Sequence, residues 1–260
     1  MQDLSNENIV HIQKGNIEYL QFKRLLGYEE ISHCITLKDL DFGNVNNYEL
    51  MQEEVIKSYK LVCDDLELDY RNVVRPKQTH TDVIKRVDKK MNSNMPDIFP
   101  DYLENVDGVM TKEKSIVLST TYADCIPLIF LDPINKVVAN VHSGWKGTLK
   151  RIGQKAVRRL AEEYNCNPEN LICCIGPAIQ KCHFEVDKDV RDMFNKEFMI
   201  NEFFIDTVQI NRAMLQEAGL KEENIIDSGI CTVCNNNLLH SYRGGNRSER
   251  RFTSLICIKT

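Results

Sequence analysis

Apolar residues recur along this chain in two rhythms. The first runs in threes and fours. Met51, Val55, Tyr59, Val62 and Leu66 follow it, and on a 3.6-residue helix such positions share one face, so the spacing predicts a helix from about Tyr48 to Leu66. Thr148 to Tyr164 repeats the pattern: Leu149, Ile152, Ala156, Leu160 and Tyr164 form a stripe, with Lys150, Arg151, Arg158 and Arg159 off it. Shorter helices are expected over Asp187–Phe194 and Arg212–Ala218. The second rhythm is one of short apolar runs rich in β-branched residues, the mark of buried strands. Ser115–Thr120, Ile126–Leu131 and Lys136–Val141 predict three neighbouring strands, with Asp132-Pro-Ile-Asn135 as a tight turn between the second and third. Asn72–Pro76 predicts a short strand leading into Gln78-Thr-His80, and Leu171–Ile175 a strand ended by Gly176-Pro177. Two more are expected over Ile225–Ile230 and Phe252–Ile258.

Strands thus alternate with helices, and no repeat, low-complexity tract or linker interrupts them. The polar stretch Lys89 to Asn105 reads as a surface excursion. The expectation is an α/β (α+β) protein, a single-domain layered sandwich over residues 1–260 with a mixed β-sheet and flanking helices, in which 1–30 is an N-terminal extension.

Composition narrows the function classes. With 33 basic against 38 acidic residues the net charge is −5, which gives no reason to expect a nucleic-acid or membrane-surface partner. No apolar run approaches the roughly 20 residues that span a bilayer, and the N-terminus lacks the basic start and apolar stretch of a signal peptide. The ten cysteines are therefore expected to be reduced thiols in the cytoplasm, some buried and some binding metal or taking part in catalysis.

Chemistry concentrates in Thr121-Tyr-Ala-Asp-Cys-Ile-Pro127 and Val141-His-Ser-Gly-Trp-Lys-Gly147. Cys125 sits where one strand turns into the next, and His142 ends the strand after that. Ends of adjacent antiparallel strands lie a few ångströms apart, so thiolate and imidazole can meet there. His80, ending an earlier strand, is a third candidate. One Cys and two His suit Zn²⁺ or copper, and three protein ligands leave a fourth position for water or substrate. Taken singly, each of the three is more often a core residue. Cys231-Thr-Val-Cys234 looks like half a zinc ribbon, but no second CxxC follows it, and it reads as a buried turn beside the site. Cys173-Cys174 reads as strand packing.

Eight blocks in order resemble the laccase-domain, or polyphenol oxidoreductase, family: Ile31-Ser-His-Cys-Ile-Thr36, Gln78-Thr-His80, Asp107-Gly-Val-Met-Thr111, Ala123-Asp-Cys-Ile-Pro127, Val141 to Gly147, Ile175-Gly-Pro177 with Phe184-Glu-Val186, Cys231-Thr232 and Ser241-Tyr-Arg243. The resemblance implies a cysteine-hydrolase-like, laccase-domain fold, with His80, Cys125 and His142 as ligands of Zn²⁺, or of Cu²⁺. It further implies a purine nucleoside phosphorylase that cleaves adenosine, inosine and 5′-methylthioadenosine with phosphate and also deaminates adenosine. On that reading the partners are a purine nucleoside and phosphate; monomer and homodimer are both left open by the sequence.

Arg243, Lys146 and Arg251 are candidate phosphate holders, helped by backbone N–H groups at Gly144 and Gly147. Asp124 and Glu185 are candidate proton shuttles, and Asp124 equally a residue that orients a ligand. Ser241, Tyr242 and His33 are expected to line the pocket. Trp145 reads equally as a stacking surface or as core. The chain departs from the family pattern at Ser143 and Lys146 in the Gly-Trp block, and at Gly244, where many members have a second arginine. These departures bear on anion geometry more than on metal binding. Two other chemistries compete: a thiol hydrolase acting in peptidoglycan-precursor editing, with Cys125 as nucleophile and His142 as base, and copper-dependent oxidation of phenols. Six dispersed histidines argue against the latter, since several copper ions need many His ligands.

Overall fold

The computed structural model describes residues 2–15, 17–43, 50–88 and 101–260. In chain order the first elements are β1 (Ile9–Lys14), β2 (Ile17–Phe22), α1 (Lys23–Leu26), β3 (Ile31–Thr36) and α2 (Leu50–Asp65). The short β4 (Val73–Val74), β5 (Ile84–Arg86) and β6 (Gly108–Thr111) follow, then β7 (Val117–Tyr122), β8 (Ile126–Asp132) and β9 (Val137–Ser143). The chain continues through α3 (Trp145–Leu149), α4 (Ile152–Tyr164), β10 (Ile172–Ile175), α5 (Lys188–Phe198) and α6 (Thr207–Glu217), ending with β11 (Ile225–Asp227) and β12 (Phe252–Ile258).

These strands form two mixed six-stranded sheets, ordered β1-β2-β3-β12-β7-β4 and β11-β10-β8-β9-β6-β5. The alternation of side chains along each strand explains why the runs look apolar throughout. In β8, Ile129 and Leu131 point into the core between the sheets, whereas Ile126, Leu128 and Phe130 join the outer core with Ala156, Val157 and Leu160 of α4. In β12, Phe252 and Ile256 face the inter-sheet core, while Leu255 and Cys257 pack with Val55, Tyr59 and Val62 of α2. The result is a four-layer sandwich, helix on sheet on sheet on helix, with both faces of the central strands buried.

The two sheets are also tied by a buried polar knot. Asn140 of β9 donates to the carbonyls of Leu118 (3.2 Å) and Ser254 (2.9 Å), and its Oδ1 accepts from the hydroxyls of Thr120 (2.6 Å) and Ser254 (2.8 Å). Every polar atom of this amide is engaged, as burial demands.

Two expectations need correction. The three strands over 115–141 are not one set of neighbours: β8 and β9 pair antiparallel, but β7 lies in the other sheet between β12 and β4. Residues 123–125 cross from sheet to sheet, and hydrophobic alternation cannot distinguish the two sheets because both bury their strands. The helix expected from Thr148 to Tyr164 is broken into α3 and α4, with Arg151 at φ +59°. That left-handed residue is held by ion pairs to Glu197 and Glu217 (2.8 and 3.3 Å) and turns the chain so that Ile152 and Gly153 pack inward. Strands β1 and β2 occupy part of the expected N-terminal extension; polar positions such as His11, Gln13 and Glu18 mask their periodicity. Tyr48 and residues 89–100 of the polar excursion lie outside the described residues. Among the described residues, no helix is long and apolar enough to cross a membrane.

Candidate active site and metal centre

The crossover from β7 to β8 builds the site. Asp124 adopts φ +86°, a strained value for a residue with a Cβ, and its carboxylate accepts three hydrogen bonds that hold it there. The donors are Thr232 Oγ1 (2.6 Å), Ser241 Oγ (2.6 Å) and the Arg243 backbone N–H (2.7 Å). Cys125 follows at once, on the doorstep of β8. In the β8–β9 register Pro127 faces His142, so Cys125 is a diagonal neighbour of the imidazole.

His142 lies on the inward face of β9, and its Nδ1 donates to Asp107 Oδ1 at 2.7 Å. The same carboxylate, fully buried just before β6, accepts from the backbone N–H groups of Thr79 (3.3 Å), His80 (3.1 Å) and Thr81 (2.6 Å) and from the Thr81 hydroxyl (2.7 Å). His80 itself has φ +61°. Its loop is clamped on the other side by Gln78, whose amide accepts from Thr121 N (2.8 Å) and donates to Thr121 O (2.9 Å), imitating a strand pairing with the end of β7.

The ligand atoms of His80, Cys125 and His142 consequently lie within 4.8 Å of one another. Cys125 Sγ is 3.9 Å from His80 Nε2, and the two imidazoles stand nearly perpendicular with centroids 5.0 Å apart. Gly144 closes the cradle: a Cβ there would approach His80 Cδ2 to 2.9 Å and Cys125 Sγ to 3.0 Å. The donor set, its spacing and the glycine fit a metal ion of the zinc or copper kind.

The electrostatics agree. Burial tends to raise the Cys125 thiol, but the charge and hydrogen bond of His142, with a weaker contribution from His80, outweigh it and bring the pKa down to about 6. Burial tends to lower His142, yet Cys125 and Asp107 raise it to about 9. For Asp107 the hydrogen bond and charge of His142, with the Thr81 donors, overcome burial and bring the carboxyl down to about 2. Cys125 is thus already a thiolate, and His142 is anchored in place but must give up its second proton before it can serve as a ligand.

The three side chains open into a cavity of about 590 Å³, whose wall also carries Arg75, Thr121, Asp124, Trp145, Phe184, Tyr242, Arg243 and Arg251. Sequence reasoning misses Arg75, which looks like one basic residue at a strand edge; in the fold it is buried and donates to Thr121 Oγ1 at 3.2 Å. Asp107 stands in a recognisable block, but nothing local marks its role. Ser241 stands behind the wall, donating to Asp124. Lys146 is exposed, outside the wall, with its ammonium 5.4 Å from the Trp145 ring centre. Glu185 is off the wall as well; its backbone carbonyl, not its carboxylate, meets Arg243 (3.0 Å). His33 does not line the pocket: it is fully buried on β3, where its Nε2 accepts from Phe22 N at 2.8 Å.

Residues 39–259 match the family described as multi-copper polyphenol oxidoreductase laccase, and the chain belongs to that family. It is 31% identical over 216 residues to the purine nucleoside phosphorylase YlmD of Bacillus subtilis, covering 79% of this chain and 78% of that protein. It is also 31% identical over 202 residues to adenosine deaminase RL5 from an unknown prokaryotic organism, covering 73% and 77%. The crystal structure of the hypothetical protein YfiH of Bacillus licheniformis superposes with a TM-score of 0.82 at 26% identity, over 96% of this chain and 99% of that one.

Proposed function

We propose that the chain is a purine nucleoside phosphorylase that cleaves adenosine, inosine and 5′-methylthioadenosine with phosphate, and that the same pocket deaminates adenosine. The observation that carries this reading is one nucleoside-sized cavity whose wall holds both a His-Cys-His metal-ligand set and three guanidinium groups. The names of the relatives, a purine nucleoside phosphorylase and an adenosine deaminase, support the two reactions.

In phosphorolysis a phosphate oxygen bonds to the sugar C1′ while the bond to the base nitrogen breaks, and its electron pair leaves with the base, which picks up a proton. Arg75, Arg243 and Arg251 hold the phosphate by paired N–H bonds. Burial and, more weakly, the charge of Arg251 lower the pKa of Arg75; an anion between them relieves that repulsion. Trp145, Phe184 and Tyr242 offer flat faces to the purine. Asp124 acts as a positioning residue, keeping the Arg243 loop and the Cys125 crossover in register. Asp107 keeps the proton on His142 Nδ1, so Nε2 is the nitrogen that gives up its proton and is left free to act as a ligand. When bound, a divalent ion at these three ligands, zinc on this reading, would supply Lewis-acid chemistry both for the charge on the departing base in phosphorolysis and for the water used in deamination. The enzyme works in the cytoplasm as a single domain, with its cysteines reduced.

A second reading has its own support: Cys125, His142 and Asp107 form a thiol–imidazole–carboxylate relay, the arrangement of a thiol hydrolase. Zinc separates the two, since it inhibits a free thiolate nucleophile and is required by the phosphorylase. The direct test is to incubate the zinc-loaded protein with the three nucleosides, with and without phosphate. Free base and sugar 1-phosphate are expected only when phosphate is present, and inosine is expected from adenosine in either case. Base release that ignores phosphate overturns the proposal.

A further inference from the structure

Beside the pocket, three cysteines and a histidine converge that the reaction does not use. Cys182 and His183 sit on the turn after Ile179, and Cys231 and Cys234 on the turn after β11. Their ligand atoms all lie within 4.8 Å of one another. Cys182 Sγ is 3.6 Å from Cys231 Sγ and 3.8 Å from Cys234 Sγ, and His183 Nδ1 is 3.1, 3.7 and 3.6 Å from the sulfurs of Cys182, Cys231 and Cys234.

Geometry identifies what such a cluster is for. A tetrahedral zinc with bonds of about 2.3 Å to sulfur and 2.0–2.1 Å to nitrogen has edges of roughly 3.8 Å between sulfurs and roughly 3.6 Å between sulfur and nitrogen. Four of the five measured separations fall within about 0.2 Å of those edges, and the fifth joins adjacent residues. Disulfide bonding requires sulfurs about 2.05 Å apart, and all three thiols are free. Backbone N–H groups of Gln180 and Cys234 are also directed at Cys231 Sγ, as they commonly are around metal-bound thiolates.

We propose that Cys182, His183, Cys231 and Cys234 bind a second zinc ion, a closed four-ligand structural site distinct from the His80-Cys125-His142 centre. Four protein ligands leave no position for substrate, so its task is mechanical. It staples the turn carrying Phe184 to the turn carrying Thr232. Thr232 in turn bonds Asp124, and Arg243 donates to the carbonyls of His183 (3.1 Å) and Glu185 (3.0 Å). Among the described residues, these links join the site to one side of the substrate pocket. The half-ribbon Cys231-Thr-Val-Cys234 thus has its second half, supplied from 48 residues earlier by an adjacent Cys-His pair that no CxxC search detects.

The test is zinc content and X-ray absorption on the full chain, purified under reducing conditions with zinc. Wild type is expected to hold two zinc ions per chain. A Cys125→Ala/His142→Ala double variant is expected to keep one, with three sulfurs and one nitrogen around the metal, and a Cys182→Ser/Cys234→Ser double variant to keep one with a single sulfur. Should either variant fail to fold, the wild type alone decides, because two filled sites average two sulfurs per zinc. One zinc per wild-type chain with a single sulfur ligand overturns the second site while leaving the pocket's reading intact. A Cys125→Ala/His142→Ala protein that folds without zinc overturns it equally.

Discussion

Asp107 touches both histidines of the metal centre without being a ligand itself. It accepts from His142 Nδ1 and from the backbone around His80, so one buried carboxylate sets the position of two ligands. Asp107→Asn is expected to weaken zinc binding at this centre by roughly 10–100-fold, the usual effect of losing such a partner, and competition against a chromophoric chelator measures it. Gly144→Ala is expected to act in the same direction for a steric reason, since its methyl group would crowd His80 and Cys125. In the metal-free protein Cys125 is a thiolate above about pH 6 and a thiol below. Its alkylation by iodoacetamide, followed by peptide mass, should therefore rise through about pH 6 and not through the ordinary thiol range. His142→Ala should move that midpoint upward. Cys125 and His142 are legible in the sequence because each sits inside a short motif. Asp107 is not, because its role exists only once three distant segments meet, and Arg75 carries no local mark that separates it from a surface arginine.

Among the elements, the sharp feature is the three-residue passage from β7 to β8 between the sheets. Its sequence reads as a turn between neighbouring strands, and the reason it misleads is physical: with both faces of β7 and β8 buried, apolar runs report burial but not sheet membership. The break between α3 and α4 is hidden for a similar reason, since Arg151 suits the polar side of a continuous helix and gives no sign of a left-handed turn. The pairing of β8 with β9, which brings Cys125 near His142, is legible because the Asp132-Pro-Ile-Asn135 turn leaves little choice. Asn140, in the middle of β9, holds that pair against β7 and β12. Removing its amide takes a donor from the buried carbonyls of Leu118 and Ser254 and an acceptor from the buried hydroxyls of Thr120 and Ser254, so Asn140→Ala is expected to cost on the order of 2–4 kcal/mol in chemical denaturation with little change in slope.

At the scale of the molecule, the layered α+β sandwich brings together the loop after β4 that carries His80, the crossover from β7 to β8 that carries Cys125 and the end of β9 that carries His142, and the pocket opens there. The layered architecture and the His80-Cys125-His142 set are readable from strand order and motifs. The arginine-lined wall is only partly so, because Arg243 stands in a recognisable block, whereas Arg251 is a basic residue outside every block and Arg75 comes from a separate strand edge. The central claim is that those three ligands serve the chemistry of the cavity they line. Inosine phosphorolysis by zinc-loaded wild type, Cys125→Ala and His142→Ala tests this most directly, with circular dichroism confirming that each variant is folded. Phosphate-dependent hypoxanthine release is predicted for the wild type, with a loss on the order of 10³-fold or more in both variants, several kcal/mol of transition-state stabilisation. Wild-type turnover in either folded variant would contradict it.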